Sequence, residues 1–410
     1  MALKENPDQN MNIGVVVDNE LNDDKRVLRE IEILKEAGYQ IYVLCFSFDN
    51  KSYGTFENIN VTRIRISKRL KDLLFFFLNS FPAYEWMWGR KIGKFIALNK
   101  INILHVHDLY MAKSGWSGIK RSGSSISMIL DLHENYSFAV TTYNWTKGFL
   151  RNLIAQPKKW KKKEEVLLGY AQKIIVLSAE FRDHLLNEYK FLNPMQFCVL
   201  PNVPDLDQME NYGTQSKNVV FSKKALVILY FGVVAERRGI FNALNSFREV
   251  IKMGYYADFL IIGPVDKKDR KKFHDSISSP DIQGRITYIP WIDLSELPAY
   301  LSISDICVAP FLKNPQHESG VANKIFDYMA GGRPVIVSDC LPQQKLIEKY
   351  ECGLVYRNQT ELTASIIKLL SDERLRIAMG DKGLRAILNE FNIKKRKSDL
   401  LEAYKLVLIN

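Results

Sequence analysis

Segment 318–332, Glu-Ser-Gly-Val-Ala-Asn-Lys-Ile-Phe-Asp-Tyr-Met-Ala-Gly-Gly, concentrates side chains and backbone that could hold a diphosphate. A turn at Ser319-Gly320-Val321 is expected to open a helix whose apolar residues fall at helical spacing (Val321, Ile325, Phe326, Met329). The first backbone N–H groups of a helix lack partners and the dipole is positive there, which suits an anion. Glu318, Ser319, Gly320, Val321, Asn323 and Lys324 stand in or beside this turn. Asp327, one turn on, offers acceptors for two hydroxyls of a ribose. A second pattern, Phe231-Gly232-Val233-Val234-Ala235-Glu236-Arg237-Arg238-Gly239-Ile240, lets backbone approach phosphate at Gly232 and supplies Arg237 and Arg238. Two cations at a helix start are unfavourable unless an anion joins them, which favours phosphate over a solvated face. Gly263 and Pro310 close two further apolar runs and are expected to shape a base pocket, although Gly and Pro also make plain turns. His105 and His107 fall on one strand face, a spacing found in metal sites, but no further cluster of ligands at a recognisable spacing joins them, so no metal is expected.

The elements that would position these groups are legible as short Val/Ile/Leu runs alternating with longer helical patterns, the mark of parallel sheets with crossover helices. Strands are expected at 13–17, 41–46, 61–66, 103–107, 127–132, 173–177 and 197–200, then at 226–231, 258–262, 285–289, 306–309, 334–337 and 354–356. At 410 residues the chain exceeds what one core supports, so the fold class is α/β with two doubly wound domains, 1–204 and 205–392. The turn-rich, aperiodic stretch from Pro201 through Lys217 is read as the linker. Five cysteines without Cys-x-x-Cys spacing lie mostly in or beside apolar runs and read as reduced core thiols of a cytosolic protein. The polar start through Asn12 shows no secretory signal, and no apolar run approaches a membrane span.

Segment 318–332, followed by Arg333-Pro334-Val335-Ile336-Val337, resembles the donor-site motif of retaining nucleotide-sugar glycosyltransferases of the GT-B fold, family four in the sugar-enzyme classification. Of the family's two glutamates, separated by seven residues, the second falls on Asp327; the first would fall on Ser319, with Glu318 one place early. The family's Arg after the first Gly is Val233 here, its Lys before the second Gly is Arg238, and Arg237 or Lys324 is left to supply the missing cation. The resemblance implies an active site in a cleft between the domains, a nucleoside-diphosphate sugar as donor, no metal or other cofactor, and a terminal helix, 393–410, that returns to the first domain. Sugar transfer with retention would then rest on Arg238 at the departing diphosphate, Asp327 on the ribose and His133 beside the reacting sugar, these three being the expected catalytic residues. The Asp-Lys-Arg-Val opening at 24–27 matches the family's first βα unit, so Asp23 and Arg26 face the acceptor or else only cap and charge the helix. His107, Asp108 and Glu134 join the acceptor side on the same grounds. Two alternatives remain: a GT-B-like nucleotide-sugar epimerase, and a non-catalytic partner subunit suggested by the missing glutamate and arginine.

The net charge of +11 is concentrated in the first domain. Residues 61–100 hold nine Lys/Arg against Asp72 and Glu85, net +7, and residues 147–165 hold seven against Glu164 and Glu165, net +5. Interleaved are Leu70, Phe75, Phe76, Phe77, Phe81, Trp86, Trp88, Phe149, Leu150 and Trp160. Basic residues among aromatics suit an anionic headgroup layer; nucleic acid is the rival, without any accompanying helix-turn-helix, zinc or RNP-type pattern. A core helix with a solvated basic face is the third possibility. The expected protein is a cytoplasmic enzyme peripheral to the inner membrane face that acts on a glycan or lipid-linked acceptor, in polysaccharide biosynthesis.

Overall fold

Runs of β-branched and aliphatic residues buried on both faces pair best with neighbours covered by helices. All thirteen expected strands form, the central ones buried on both faces and the edge strands Asn60–Arg65 and Ile286–Ile289 partly exposed. The computed structural model describes residues 11–22, 24–48, 59–210 and 225–408. The first sheet contains β1 (Asn12–Val16), β2 (Gln40–Ser47), β3 (Asn60–Arg65), β4 (Ile103–His107), β5 (Ser127–Asp131), β6 (Lys173–Val176) and β7 (Phe197–Val199), in the order β3-β2-β1-β4-β5-β6-β7. The second contains β8 (Leu226–Phe231), β9 (Ala257–Ile262), β10 (Ile286–Ile289), β11 (Ile306–Ala309), β12 (Val335–Ser338) and β13 (Gly353–Tyr356), in the order β10-β9-β8-β11-β12-β13. Every pair within these sheets is parallel. Strand order reverses between β1 and β4 in one sheet and between β8 and β11 in the other. Ligands of doubly wound sheets bind outside the carboxyl ends of the strands at such points.

The chain divides into two compact units, Met1–Pro201 with Lys397–Asn410, and Asn202–Arg396. In the first, helices Ala83–Asn99 and Ala112–Ser122 cover the sheet face on which Phe46, Tyr84, Trp88 and Leu104 pack. These helices approach closely because a Cβ on Gly118 would come within 2.4 Å of Ile92. In the second unit, helix Asn323–Ala330 packs Ile325, Phe326 and Met329 against Leu229, Cys307 and Val335 on one side of the sheet, and helix Ile240–Lys252 covers the other. The last helix, Ile393–Leu408, places buried Tyr404 against His105, hydroxyl to Nδ1 at 2.7 Å. All five cysteines are buried free thiols whose pKa values burial raises. Part of the expected linker, 211–217, lies outside the described residues.

Candidate active site

At the β8/β11 reversal, three cations meet two helix starts. Gly232 ends β8 at φ +120°, and a Cβ there would stand 3.1 Å from Lys324 Nζ, so glycine leaves room for the ammonium to lie against the backbone. Lys324 is buried, and its Nζ has no hydrogen-bond partner among the described residues; it rests 3.9 Å from the Tyr230 ring centroid and 5.2 Å from that of Phe311. Arg238 approaches the Phe311 ring at 5.5 Å. Burial, with Arg238 nearby, pushes the Lys324 pKa well below its ordinary value; Asp327 opposes this. A buried amine without a partner, near a guanidinium and in the first turn of a helix, is costly in three respects, and an anion would relieve all of them.

The loop in front differs in detail from the sequence expectation. Helix Asn323–Ala330 starts at Asn323, two residues after Val321, with Ala322 as N-cap. The reason is local: the Ser319 hydroxyl donates to the Gln316 carbonyl at 2.7 Å, and Asn314 Oδ1 accepts from the Gln316 and His317 amides at 3.0 Å, closing a separate turn. Ser319 is thus buried and locally engaged, while half-exposed Glu318 lies 3.7 Å from Lys313. Gly320 and Val321 form the link to the helix, Asn323 is exposed at its first position, and Asp327 is half-buried in its second turn. Arg237 is half-buried, its carbonyl accepting from Leu312. Gly263 and Pro310 serve the backbone: a Cβ on Gly263 would lie 2.2 Å from the Gly232 carbonyl, and one on Gly239 would lie 1.5 Å from that of Pro310. His317 is pushed down to about 4 by burial and by Arg238, Arg237 and Lys324.

At the β1/β4 reversal of the first unit stands a second polar cluster. Asp131, fully buried at the end of β5, pairs in register with His107 on β4. Arg26 turns inward from helix Lys25–Glu36 and donates through Nε and Nη2 to the two Asp131 oxygens, each at 3.0 Å, and through Nη1 to the Leu200 carbonyl. The acceptor-facing role expected of Arg26 therefore gives way to a buried ion pair, and Asp24 caps the helix through Val27; Asp23 lies outside the described residues. Burial alone would raise Asp131, but Arg26 and the histidines hold it well below the carboxylate range. Glu30, His105, His107 and Asp131 converge closely enough to hold a metal ion, and the positive charge among them is Arg26, 3.1 Å from Glu30 as well. Burial lowers the pKa of His105, to about 4, and that of His107; their rings stack at 4.3 Å, and His107 Nδ1 meets His133 Nε2 at 3.0 Å. His133 is the partly exposed outer member of this line.

Asp108 ends β4 at φ +70°, a strained conformation for a side-chain-bearing residue. Its carboxylate accepts from the Tyr110 hydroxyl at 3.0 Å, lies 3.9 Å from His133 Nδ1, and is pushed up to about 6 by burial. Tyr110 and Tyr84 also donate to Asp18 at the end of β1, and Lys71 stands 3.5 Å away. Glu134 accepts from the Tyr143 hydroxyl. The sequence reading missed Asp18 and Asp131; an acid terminating a buried apolar strand was the available signal for both.

The two basic, aromatic segments form one surface. Asn79 donates to the Ala155 carbonyl at 2.6 Å, Ser80 to that of Ile154 at 2.7 Å, and Lys163 to Asn79 at 2.6 Å. Leu70, Leu73, Phe77, Phe81, Trp86, Phe149, Leu150 and Leu153 are exposed around this junction. Trp88 and Trp160 are not part of it; both are buried, packed against Phe46 and Tyr136. Among the described residues no helix is long and apolar enough to cross a membrane.

Comparison with known proteins bears on the family and the fold. Residues 25–208 match the family model described as Glycosyltransferase Family 4, and residues 225–372 that described as Glycosyl transferases group 1. The chain is similar to an Escherichia coli UDP-Gal:alpha-D-GlcNAc-diphosphoundecaprenol alpha-1,3-galactosyltransferase, 20% identical over 398 residues and 93% of each chain. It is also similar to a capsular polysaccharide biosynthesis glycosyltransferase of Staphylococcus aureus, 23% identical over 194 residues, 45% of this chain and 47% of the other. Among solved structures, sucrose-phosphate synthase from Thermosynechococcus elongatus superposes with a TM-score of 0.73 at 15% identity, covering 97% of this chain and 99% of the other. An Anabaena protein in complex with UDP gives 0.70 at 12%, covering 97% and 100%. At these identities the structural likeness speaks to the fold.

Proposed function

We propose that this chain, which belongs to the GT-B glycosyltransferases, moves a sugar from a nucleoside-diphosphate sugar to a hydroxyl of a lipid-linked or envelope glycan acceptor, with retention. The observation that carries the donor is the buried, unpartnered Lys324 ammonium beside Gly232 and Arg238. A diphosphate there satisfies the amine and the first turn of helix Asn323–Ala330, and it gains stabilisation as negative charge grows on the departing oxygen. Lys324 thereby replaces the cation lost at Val233, so the reaction calls on no metal. Asp327 takes the ribose hydroxyls. His133, braced by His107 and Asp131, contacts the reacting sugar. Retention is inferred from the donor-site motif.

The acceptor assignment is supported by the surface around Phe81 and Phe149 and by its link to the acceptor side through Lys71 and Asp18. The E. coli relative acts on a GlcNAc-diphosphoundecaprenol, and a lipid-linked acceptor of that kind supports the reading of a membrane-facing surface here. Basic residues with exposed aromatics favour an anionic headgroup layer, on the cytoplasmic side where nucleotide sugars are available.

The test begins with a thermal-shift screen of nucleoside diphosphates, since a ligand of the native state raises apparent stability by mass action. The pure chain is then incubated with nucleotide sugars with and without lipid-linked glycan. Acceptor-dependent release of nucleoside diphosphate supports transfer; a new sugar epimer without acceptor, or no turnover with any donor, overturns it.

A further inference from the structure

Helices Ala83–Asn99 and Ala112–Ser122 leave a groove of about 460 Å³ along their outer faces. Phe81, Pro82, Ala83 and Trp86 form an apolar wall, and Glu85, Lys113, Ser117 and Arg121 line the rest. Phe81 is 64% exposed and Trp86 51%, while the Arg90 guanidinium covers the Trp86 ring at 3.7 Å. Soluble chains seldom leave a concave apolar wall of this size open to water without a ligand for it.

Three features point to the occupant. Both helices lead directly into strands of a parallel sheet and run against them, so their first turns lie at the carboxyl edge where Asp18 and Asp108 stand; Tyr84, next to Ala83, donates to Asp18 at 2.6 Å. Phe81 belongs to the exposed apolar surface tied to Ile154 and Ala155, so the groove continues that surface. The cation at the edge, Lys113, is 46% exposed even though it pairs with the carboxylate of Glu85, and it keeps donors for an anion. Phe81 and Trp86 could also stack a sugar ring or a base, but the continuity of the groove with the exposed apolar surface favours a hydrocarbon chain, and an anionic head on that chain matches the cation.

We infer that this groove binds the head-proximal hydrocarbon of a prenyl or acyl phosphate, with the phosphate at Lys113. The inference rests on the lipid-linked acceptor proposed above and gives it a subsite. The groove would then choose among acceptors by their lipid, while the sugar is chosen elsewhere.

Farnesyl phosphate, titrated below its aggregation concentration into the full chain by calorimetry, tests this without donor or turnover. One saturable site per chain is expected, with farnesol several-fold weaker and inorganic phosphate giving no saturation. Ala83→Trp, which fills the groove, should weaken farnesyl phosphate at least tenfold while leaving the UDP thermal shift unchanged; Trp86→Ser is the second variant should the first not fold. Replacing Lys113 and Glu85 together by Gln should reduce farnesyl phosphate to the level of farnesol. Phe149→Ser with Leu150→Ser should lower binding to anionic vesicles and spare farnesyl phosphate. Unchanged affinity in the folded groove variants overturns the subsite, as does a loss confined to the Phe149/Leu150 variant, which would make the lipid contact a general membrane property. Sugar transfer is measured separately, so its failure and that of the subsite are distinguishable.

Discussion

Burial moves Lys324 and Asp108 in opposite directions, lowering the pKa of the amine and raising that of the carboxyl to about 6, and each makes a signed prediction. Burial depresses Lys324, so between its folded pKa and the ordinary lysine value the unfolded chain binds more protons and the empty protein gains stability as pH rises. A diphosphate beside the amine reverses the preference and restores the proton. Donor binding should therefore take up a proton across that window and weaken as pH rises, which calorimetry in buffers of different ionisation enthalpy reads directly. Lys324→Met should abolish the uptake, stabilise the empty protein, and cost the nucleotide about 1.5–3 kcal/mol of a charge-assisted contact. Equal proton uptake in parent and variant would reassign the linkage to another group. For Asp108 the sign is opposite: its raised pKa, about 6, means the folded state holds the extra proton, and stability falls as pH rises through that value. A quarter of the side chain is exposed, so Asp108→Asn should gain only about 1–2 kcal/mol at pH 8, with the gain vanishing near pH 4, by parallel thermal melts.

At the scale of elements, two glycines separate a binding function from a packing one. Gly232→Ala meets the flexible end of Lys324 at 3.1 Å and strains a φ of +120°, which should cost roughly 1–3 kcal/mol and displace the ammonium. Gly263→Ala meets the Gly232 carbonyl at 2.2 Å, where no side-chain motion can help. The expected result is that Gly263→Ala lowers the melting temperature more, while Gly232→Ala loses more nucleotide affinity relative to its stability change; the reverse order would show that Gly232 is mainly structural. The strands were legible because residues such as 259–262 and 306–309 are apolar and end at turn residues, and a sheet buried on both faces tolerates little else. The start of helix Asn323–Ala330 was not, because the Ser319-to-Gln316 and Asn314 bonds that close the preceding turn are side-chain choices that periodicity does not encode. Arg26 was ambiguous for a related reason. Its partner Asp131 lies 105 positions away, and only the pairing of β4 with β5 and the crossover of helix Lys25–Glu36 bring them together.

Over the whole molecule, charge is the property most visible in the sequence and most altered by seeing where it lies. Residues 61–100 and 147–165 do share a surface, yet Lys161 is committed to Glu164 and Glu188, and Lys163 to Asn79. Replacing either would disturb the fold as well as the surface. Lys158, Lys159 and Lys162 are exposed and clear of those bonds, near Leu153 and the basic end of the same surface. Each basic residue near an anionic leaflet contributes about 1 kcal/mol. The triple Lys158→Gln, Lys159→Gln, Lys162→Gln variant should thus bind vesicles containing anionic lipid some tenfold or more less tightly, and added salt should weaken the parent toward the same level. Nucleotide affinity should not change, because the donor residues lie in the other unit. Turnover of a lipid-linked acceptor presented in vesicles should fall while that of a short soluble analogue is kept. Equal sedimentation of parent and variant with anionic vesicles would remove the charge from the account of membrane binding, leaving Phe81, Trp86, Phe149 and Leu150 to act alone. Preference of the parent for single-stranded nucleic acid over vesicles would assign the whole surface to a different partner.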